Sequence, residues 1–263
     1  MTTVHDVLEA LGRLAPASMK CDWDNVGLLC GREGQGVHKI LVALDPFEDV
    51  CQEAAETGAD LIVTHHPLIF QAPKAITDDD SVGRCILFLA SHGISAVNAH
   101  TNLDCAPGGV NDRLAALLGL RNVEILNPMG TDGQGRPYGL IRVGTVEETP
   151  LVDFLARVKE TLHAPGLRYV DGGKPVRRVA VGGGACAGAI REVYDAGCDA
   201  FVTADVKYNQ FWDAHDLGLN LIDAGHFWTE NPVCAVLADH LRAAFPEIPV
   251  EISKNHTDCM KFC

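Results

Sequence analysis

Apolar positions along the chain follow two different spacings. Short unbroken runs, Ile40-Leu41-Val42, Leu61-Ile62-Val63, Val179-Ala180-Val181 and Leu221-Ile222, have the length of strands buried on both faces. Between and after them, Val110, Leu114, Leu117 and Leu118 recur at helical spacing, as do Val233, Val236, Leu237 and Leu241. One more helix precedes each group, over Val4–Leu14 and Leu151–Leu162. Strands alternating with helices predict an α/β protein with mostly parallel sheets.

The pattern occurs twice. Lys39–Val42 resembles Arg178–Val181 at an offset of 139 positions, and the same offset carries Gly58-Ala59-Asp60-Leu61-Ile62-Val63-Thr64 onto Gly197-Cys198-Asp199-Ala200-Phe201-Val202-Thr203. Gly93–Ala99 resembles Gly218–Ala224 at an offset of 125, so the first half holds extra residues after Thr64; Gln71–Gly83, with Asp78-Asp79-Asp80, is the expected insertion. The Gly/Pro-rich run Pro128–Tyr138 marks the break between the halves. The expected organisation is two internally duplicated α/β repeats, residues 1–127 and 128–263.

Composition narrows the function classes. The net charge of -14 disfavours a nucleic-acid or anionic-lipid partner, because a broad basic footprint is missing. Met1–Leu14 has neither the basic start nor the apolar core of a secretory signal, and no stretch reaches the ~20 apolar residues of a membrane span, so a cytoplasmic location is expected. The ten cysteines are scattered without a CxxC pair, which removes zinc-knuckle and dithiol redox motifs; Cys51, Cys198 and Cys234 read as small buried hydrophobes.

In open α/β sheets, chemistry collects beyond the C-terminal ends of the strands. The polar residues of this chain are found there. Thr64 is followed by His65-His66; Ala99 by His100, with Asp104 four residues on; Ala224 by Gly225-His226, with Glu230 four residues after the histidine; and Thr203 by Ala204-Asp205. Imidazole and carboxylate together suit divalent Zn, Fe, Mn, Ni or Co, and carboxylates can bridge a pair of ions. Taken singly, Asp104 before Pro107 reads as a turn or cap residue and His226 as a satisfied strand-end polar group. Taken together, His65, His66, Asp104, His226 and Glu230 read as ligands of two metal ions. Adjacent histidines can both ligate only if the strand has ended, which Pro67 favours. His100 is assigned an acid/base and substrate-orienting role beside the ions rather than a ligand's. Gly182-Gly183-Gly184 fits either a phosphate-binding turn or a tight strand-to-helix turn. His5, His38, His92, His163, His215 and His240 read as structural.

Trp23-Asp24-Asn25-Val26-Gly27-Leu28, Thr64-His65-His66-Pro67-Leu68-Ile69-Phe70, Ala99-His100-Thr101-Asn102-Leu103-Asp104 and Asp223-Ala224-Gly225-His226-Phe227-Trp228-Thr229-Glu230 resemble the motifs of the YbgI-like dinuclear-metal family, also called Nif-three-like and often labelled GTP cyclohydrolase I type 2. The similarity runs from the N-terminal helix into the Lys254–Phe262 tail. The resemblance implies two intertwined α/β repeats, two metal ions on residues matching His65, His66, Asp104, His226 and Glu230 with His100 nearby, and a toroidal homohexamer. Many members have a histidine near Lys207-Tyr208, where this chain has Asn209-Gln210. The expected function is a metal-dependent hydrolase of a small, nucleotide-like substrate, the ions lowering the pKa of a shared water and His100 moving a proton. The rival expectation is a non-catalytic protein that stores, delivers or senses metal.

Overall fold

The computed structural model describes residues 1–263. The chain folds into two units: Met1–Ala106 with Val233–Asp258, and Pro107–Pro232 with Cys259–Cys263.

The first unit is built on a five-stranded sheet in the spatial order Gly27–Cys30, Ser95–Asn98, Leu61–Thr64, Ile40–Ala43, Val250–Ile252. All neighbours are parallel except the edge strand Gly27–Cys30, which runs antiparallel to Ser95–Asn98. Leu41, Ala43, Ile62 and Ala96 pack against Val50, Ala54, Cys85 and Leu89 of the helices Glu48–Thr57 and Ser81–His92. Because side chains alternate along a strand, Ile40, Val42, Leu61 and Val63 point to the opposite face. They too are buried, so the sheet is covered on both sides, as unbroken apolar runs require. The helix Val233–Ala244 packs on the N-terminal helix Val4–Leu14 and on the strands Ile40–Ala43 and Val250–Ile252. The N-terminal helix opens with a capping box: Asp6 N donates to Thr3 Oγ1 while the Asp6 carboxylate accepts from Thr3 N. In the expected insertion, Gln71–Asp80 forms no helix or strand, and Asp80 then caps the helix Ser81–His92 by accepting from Gly83 N at 2.7 Å.

The second unit holds a six-stranded sheet in the order Arg121–Leu126, Ile141–Thr149, Val176–Val181, Ala200–Thr203, Asn220–Asp223, Arg168–Val170. Its three central strands from Val176–Val181 to Asn220–Asp223 are parallel; the flanking strands join antiparallel. Phe154, Val158 and Leu162 of the helix Leu151–Leu162 pack with Val179, Val181, Val202 and Ile222, while Ala180, Phe201 and Leu221 face the second cluster with Ile190 and Val193. The run Pro128–Tyr138 contains a short hairpin pairing Gly130-Thr131 with Pro137-Tyr138.

The expected class is the class observed, a mixed α/β fold with parallel sheet centres. The antiparallel strands Gly27–Cys30, Arg121–Leu126, Ile141–Thr149 and Arg168–Val170 and the parallel edge strand Val250–Ile252 are additions that the apolar pattern did not mark. The central registers reproduce the sequence offsets. Ile40 lies opposite Leu61 and Val179 opposite Ala200; Leu61 lies opposite Ser95 and Ala200 opposite Asn220. Asp60 accepts from His38 N and Lys39 N, and Asp199, at the same offset, accepts from Arg177 N and Arg178 N. Each aspartate fastens the entry of the neighbouring strand. No helix is long and apolar enough to cross a membrane.

Candidate metal centre

In the first unit the strand Leu61–Thr64 stops where the histidines begin. The Thr64 hydroxyl donates to His66 O at 2.7 Å, folding the chain back, while His66 N still reaches Leu44 O at 2.8 Å. Alternation therefore ends at Thr64, and the His65 and His66 rings lie side by side, centroids 4.9 Å apart. His100 follows the strand Ser95–Asn98 and immediately precedes the short helix Thr101–Cys105. Its ring centroid is 5.2 Å from that of His65 and 5.4 Å from that of His66. Asp104, on that helix and 7% exposed, places Oδ1 3.5 Å from His65 Nε2.

One nitrogen from each of His65, His66 and His100 lies within 4.8 Å of the others. Imidazole nitrogens on a single ion sit ~2.0–2.1 Å from it, hence up to ~4 Å from each other. Three neutral-capable imidazoles and an adjacent buried carboxylate have the donor chemistry that suits a borderline divalent cation. All of the first-half candidates are thus brought together, with His100 beside the His65–His66 pair.

Each of these rings has its Nδ1 engaged. His65 Nδ1 lies 2.9 Å from Ala99 O, His66 Nδ1 2.6 Å from Asp45 Oδ1, and His100 Nδ1 2.7 Å from Asp24 Oδ1. Carbonyl and carboxylate oxygens accept, so Nδ1 carries the hydrogen and Nε2 keeps the lone pair a cation needs. Burial opposes ionisation of Asp24 and Asp45. Hydrogen bonds outweigh it, from His100 and Thr101 to Asp24 and from His256 and His66 to Asp45, and hold both carboxyls well below the usual carboxylate range. Asp24 also anchors the helix that carries Asp104, through Thr101 N at 3.0 Å and the Thr101 hydroxyl.

The second unit presents His226 and Glu230 one turn apart on the helix His226–Glu230, Nε2 to Oε2 2.9 Å. His226 Nδ1 lies 2.8 Å from Asp205 Oδ2. Burial disfavours charge on His226, but Asp205 and Glu230 override it and raise the imidazole pKa to about 11. A cation at Nε2 would have to displace the proton that Glu230 favours there. Asp205 itself adopts φ 52°, a left-handed conformation that aspartate tolerates better than most side chains.

Gly182-Gly183-Gly184 is a tight turn. Its N–H groups donate to Val202 O at 3.0 Å, Asn111 Oδ1 at 2.7 Å and Thr229 Oγ1 at 3.0 Å, which commits them within the unit rather than to a phosphate. Gly184, at φ 60°, lies directly against His226 and Glu230: a Cβ there would come 2.1 Å from Glu230 Oε1 and 3.1 Å from His226 Nε2. Asn209-Gln210 stands at the start of the helix Tyr208–Leu217, where Gln210 Oε1 accepts from Lys207 N at 2.9 Å.

Sequence reasoning located the candidate ligands and missed most of their supports. Asp24, Asp45 and His256 support the histidines of the first unit without having been singled out. Asp24 sits inside the Trp23–Leu28 motif, and Asp45 follows a strand end by two residues, which is the one signal that could have found it.

The chain resembles known proteins over nearly its whole length. It is 33% identical over 262 residues to a Clostridium perfringens protein named GTP cyclohydrolase 1 type 2 homolog, covering 98% of this chain and 99% of that one. A Streptomyces coelicolor protein of the same name is 37% identical, with 98% and 93% covered. Among solved structures, a Staphylococcus aureus hypothetical protein superposes with a TM-score of 0.92 at 31% identity, covering 99% of both chains. The family model Duf34/NIF3 (NGG1p interacting factor 3) matches residues 2–259, and the chain belongs to that family.

Proposed function

We propose that the chain is a dinuclear metal protein, with His65, His66, Asp104, His226 and Glu230 holding two divalent cations, and that it acts as a hydrolase on a small nucleotide-like substrate. The observation that carries this reading is the common preparation of the histidines: His65, His66, His100 and His226 all have Nδ1 bound by an acceptor within 2.9 Å. A ring fixed through Nδ1 leaves Nε2 directed for ligation, and these four rings stand beside largely buried carboxylates, unlike that of the exposed His92, whose Nδ1 is held by Phe88 O. When bound, divalent cations supply Lewis-acid polarisation and activation of water.

The protein's own residues do the rest. Asp24, held ionised, fixes the His100 ring through Nδ1, which leaves Nε2 directed to take and return a proton. Trp23 and Phe70, 63% and 51% exposed, stand 5.8 Å apart edge-to-face, each with its ring centroid 6.2 Å from that of His100. Exposed aromatic faces beside the histidines suit a flat heterocyclic ring, which they would stack against and shield from water. The name GTP cyclohydrolase 1 type 2 homolog, carried by the relatives, points to the same substrate class.

Protein purified without a histidine tag should contain two equivalents of a first-row metal by elemental analysis and should hydrolyse a member of a panel of nucleotides and related heterocycles. His100→Ala should lose at least ~100-fold in rate with metal content unchanged. Loss of metal from His100→Ala would make His100 a ligand instead. Full metal content that exchanges freely, with no turnover across the panel, would favour storage, delivery or sensing over hydrolysis.

A further inference from the structure

The segment after the strand Val250–Ile252 is held by a buried carboxylate. Ser253 N donates to Val42 O at 2.8 Å, bringing the residue to the exit of the strand Ile40–Ala43. Glu53, 7% exposed on the helix Glu48–Thr57, accepts from Lys254 N at 2.9 Å, Asn255 N at 3.2 Å and the Ser253 hydroxyl. Ser253 Oγ in turn accepts from His256 N at 3.1 Å. This turn has one consequence for the metal ligands. It places His256 Nε2 2.9 Å from Asp45 Oδ2, while the other oxygen of the same carboxylate lies 2.6 Å from His66 Nδ1.

A carboxylate with one partner turns easily, because its terminal torsion has no sharp wells. Two donors, one on each oxygen, fix its plane. The His256 side chain is 5% exposed and its ring is flanked by Phe47, centroids 6.0 Å apart, so this donor is itself held in place. We infer that His256 is a positioning residue for His66, acting through Asp45, and that the turn clasped by Glu53 belongs to the metal-binding apparatus of the first unit. This rests on the metal reading above and adds to it a residue 190 positions away in sequence from the ligand it serves (256 minus 66). Cation binding and order of the tail segment then favour each other by linkage.

The test measures Co(II) affinity of the full chain by competition with a chromophoric chelator and records the visible Co(II) spectrum. His256→Ala should weaken binding about 10-fold, the lower end of the 10–100-fold range for partners of ligands. His256→Gln, which keeps an N–H donor, should stay within about threefold of the unsubstituted protein. Asp45→Asn should weaken binding by itself, and His256→Ala added to it should cause no further loss, because the group it acts through is gone. His256→Ala should also shift the Co(II) bands, which a residue that only stabilises the fold would leave in place. Unchanged affinity and spectrum in His256→Ala, or a full additional loss on top of Asp45→Asn, would overturn the inference while leaving the metal reading intact. A chain that binds no Co(II) at all would remove the metal reading and the inference with it.

Discussion

The two sheets share a register and put it to different chemical use. Residue 45 in the first unit and residue 184 in the second are separated by the repeat offset of 139, as are residues 66 and 205. In the first unit position 45 is an aspartate that holds the imidazole at position 66. In the second, position 184 is a glycine over which Glu230 and His226 fold, and position 205 is an aspartate that holds the imidazole of His226. The strand ends thus deliver side chains to equivalent places, while the roles of ligand and orienting carboxylate change position. Backbone geometry sets where a functional group can emerge; the identity of each residue then decides whether it binds or supports.

Gly184 is the sharpest point of that contrast. A left-handed φ costs a residue with a Cβ ~1–2 kcal/mol, and crowding a packed region costs ~1–3 kcal/mol more. Gly184→Ala should therefore destabilise the protein by roughly 2–5 kcal/mol in urea unfolding. It should also reduce metal content, because the new methyl occupies the place of the Glu230 carboxylate. Wild-type stability with full metal content would show that position 184 is a glycine for no reason connected with the ligands.

Much of this was legible in the chain. Short apolar runs marked the central parallel strands but not Val250–Ile252, the offsets matched their registers, and strand-end polarity brought forward His65, His66, Asp104, His226 and Glu230, with His100 beside them. The supports were not legible, because their meaning lies in pairing. Asp45 and His66 are 21 residues apart, Asp24 and His100 are 76, and Asp45 and His256 are 211. Each aspartate alone looks like a turn residue. Three successive glycines left open a phosphate-binding turn or a tight strand-to-helix turn, and only the partners of their N–H groups, distant in sequence, answer that. The edge strands Gly27–Cys30 and Arg168–Val170 escaped notice because they are short and not fully buried, so neither apolar runs nor alternation marks them.

The orienting carboxylates allow a finer comparison. Asp45 has a side chain 16% exposed and two histidine partners, whereas Asp205 is 50% exposed and holds one. Replacing either by asparagine keeps an acceptor oxygen but removes the charge that raises the basicity of the ligand ring. Each change should weaken metal binding by roughly 10–100-fold, about 1.4–2.7 kcal/mol. Asp45→Asn should fall near the upper end and Asp205→Asn near the lower, since solvent screens the exposed pair more strongly. Chelator competition on both variants gives the ranking. A larger loss from Asp205→Asn would mean that the second unit's ligand depends on its aspartate for more than orientation.

The smallest contrast lies on the helices that follow the first parallel strands. Glu53 and Glu192 are again 139 positions apart. Glu192 is exposed and accepts only from Asn127 Nδ2, at 3.1 Å, whereas Glu53 is buried under the donors of residues 253–255. Burial alone would raise the pKa of Glu53. The bonds from Ser253, Lys254 N and Asn255 N, with the nearby Lys254 charge, outweigh it and hold the pKa below its ordinary value of 4.5. A carboxyl depressed on folding contributes stability that is fully present above its unfolded pKa and is lost as pH falls through the folded one. Glu53→Gln should therefore cost roughly 1–2 kcal/mol at pH 7. The difference from the unsubstituted protein should begin to shrink below about pH 4.5 and diminish further as the folded carboxyl protonates. Glu192→Gln should stay within ~0.5 kcal/mol at any pH, as surface substitutions do. Urea unfolding of the three proteins between pH 7 and pH 3 provides the comparison. A Glu53→Gln deficit that stayed constant across that range would mean that the clasp works through shape alone, with the charge on Glu53 contributing nothing.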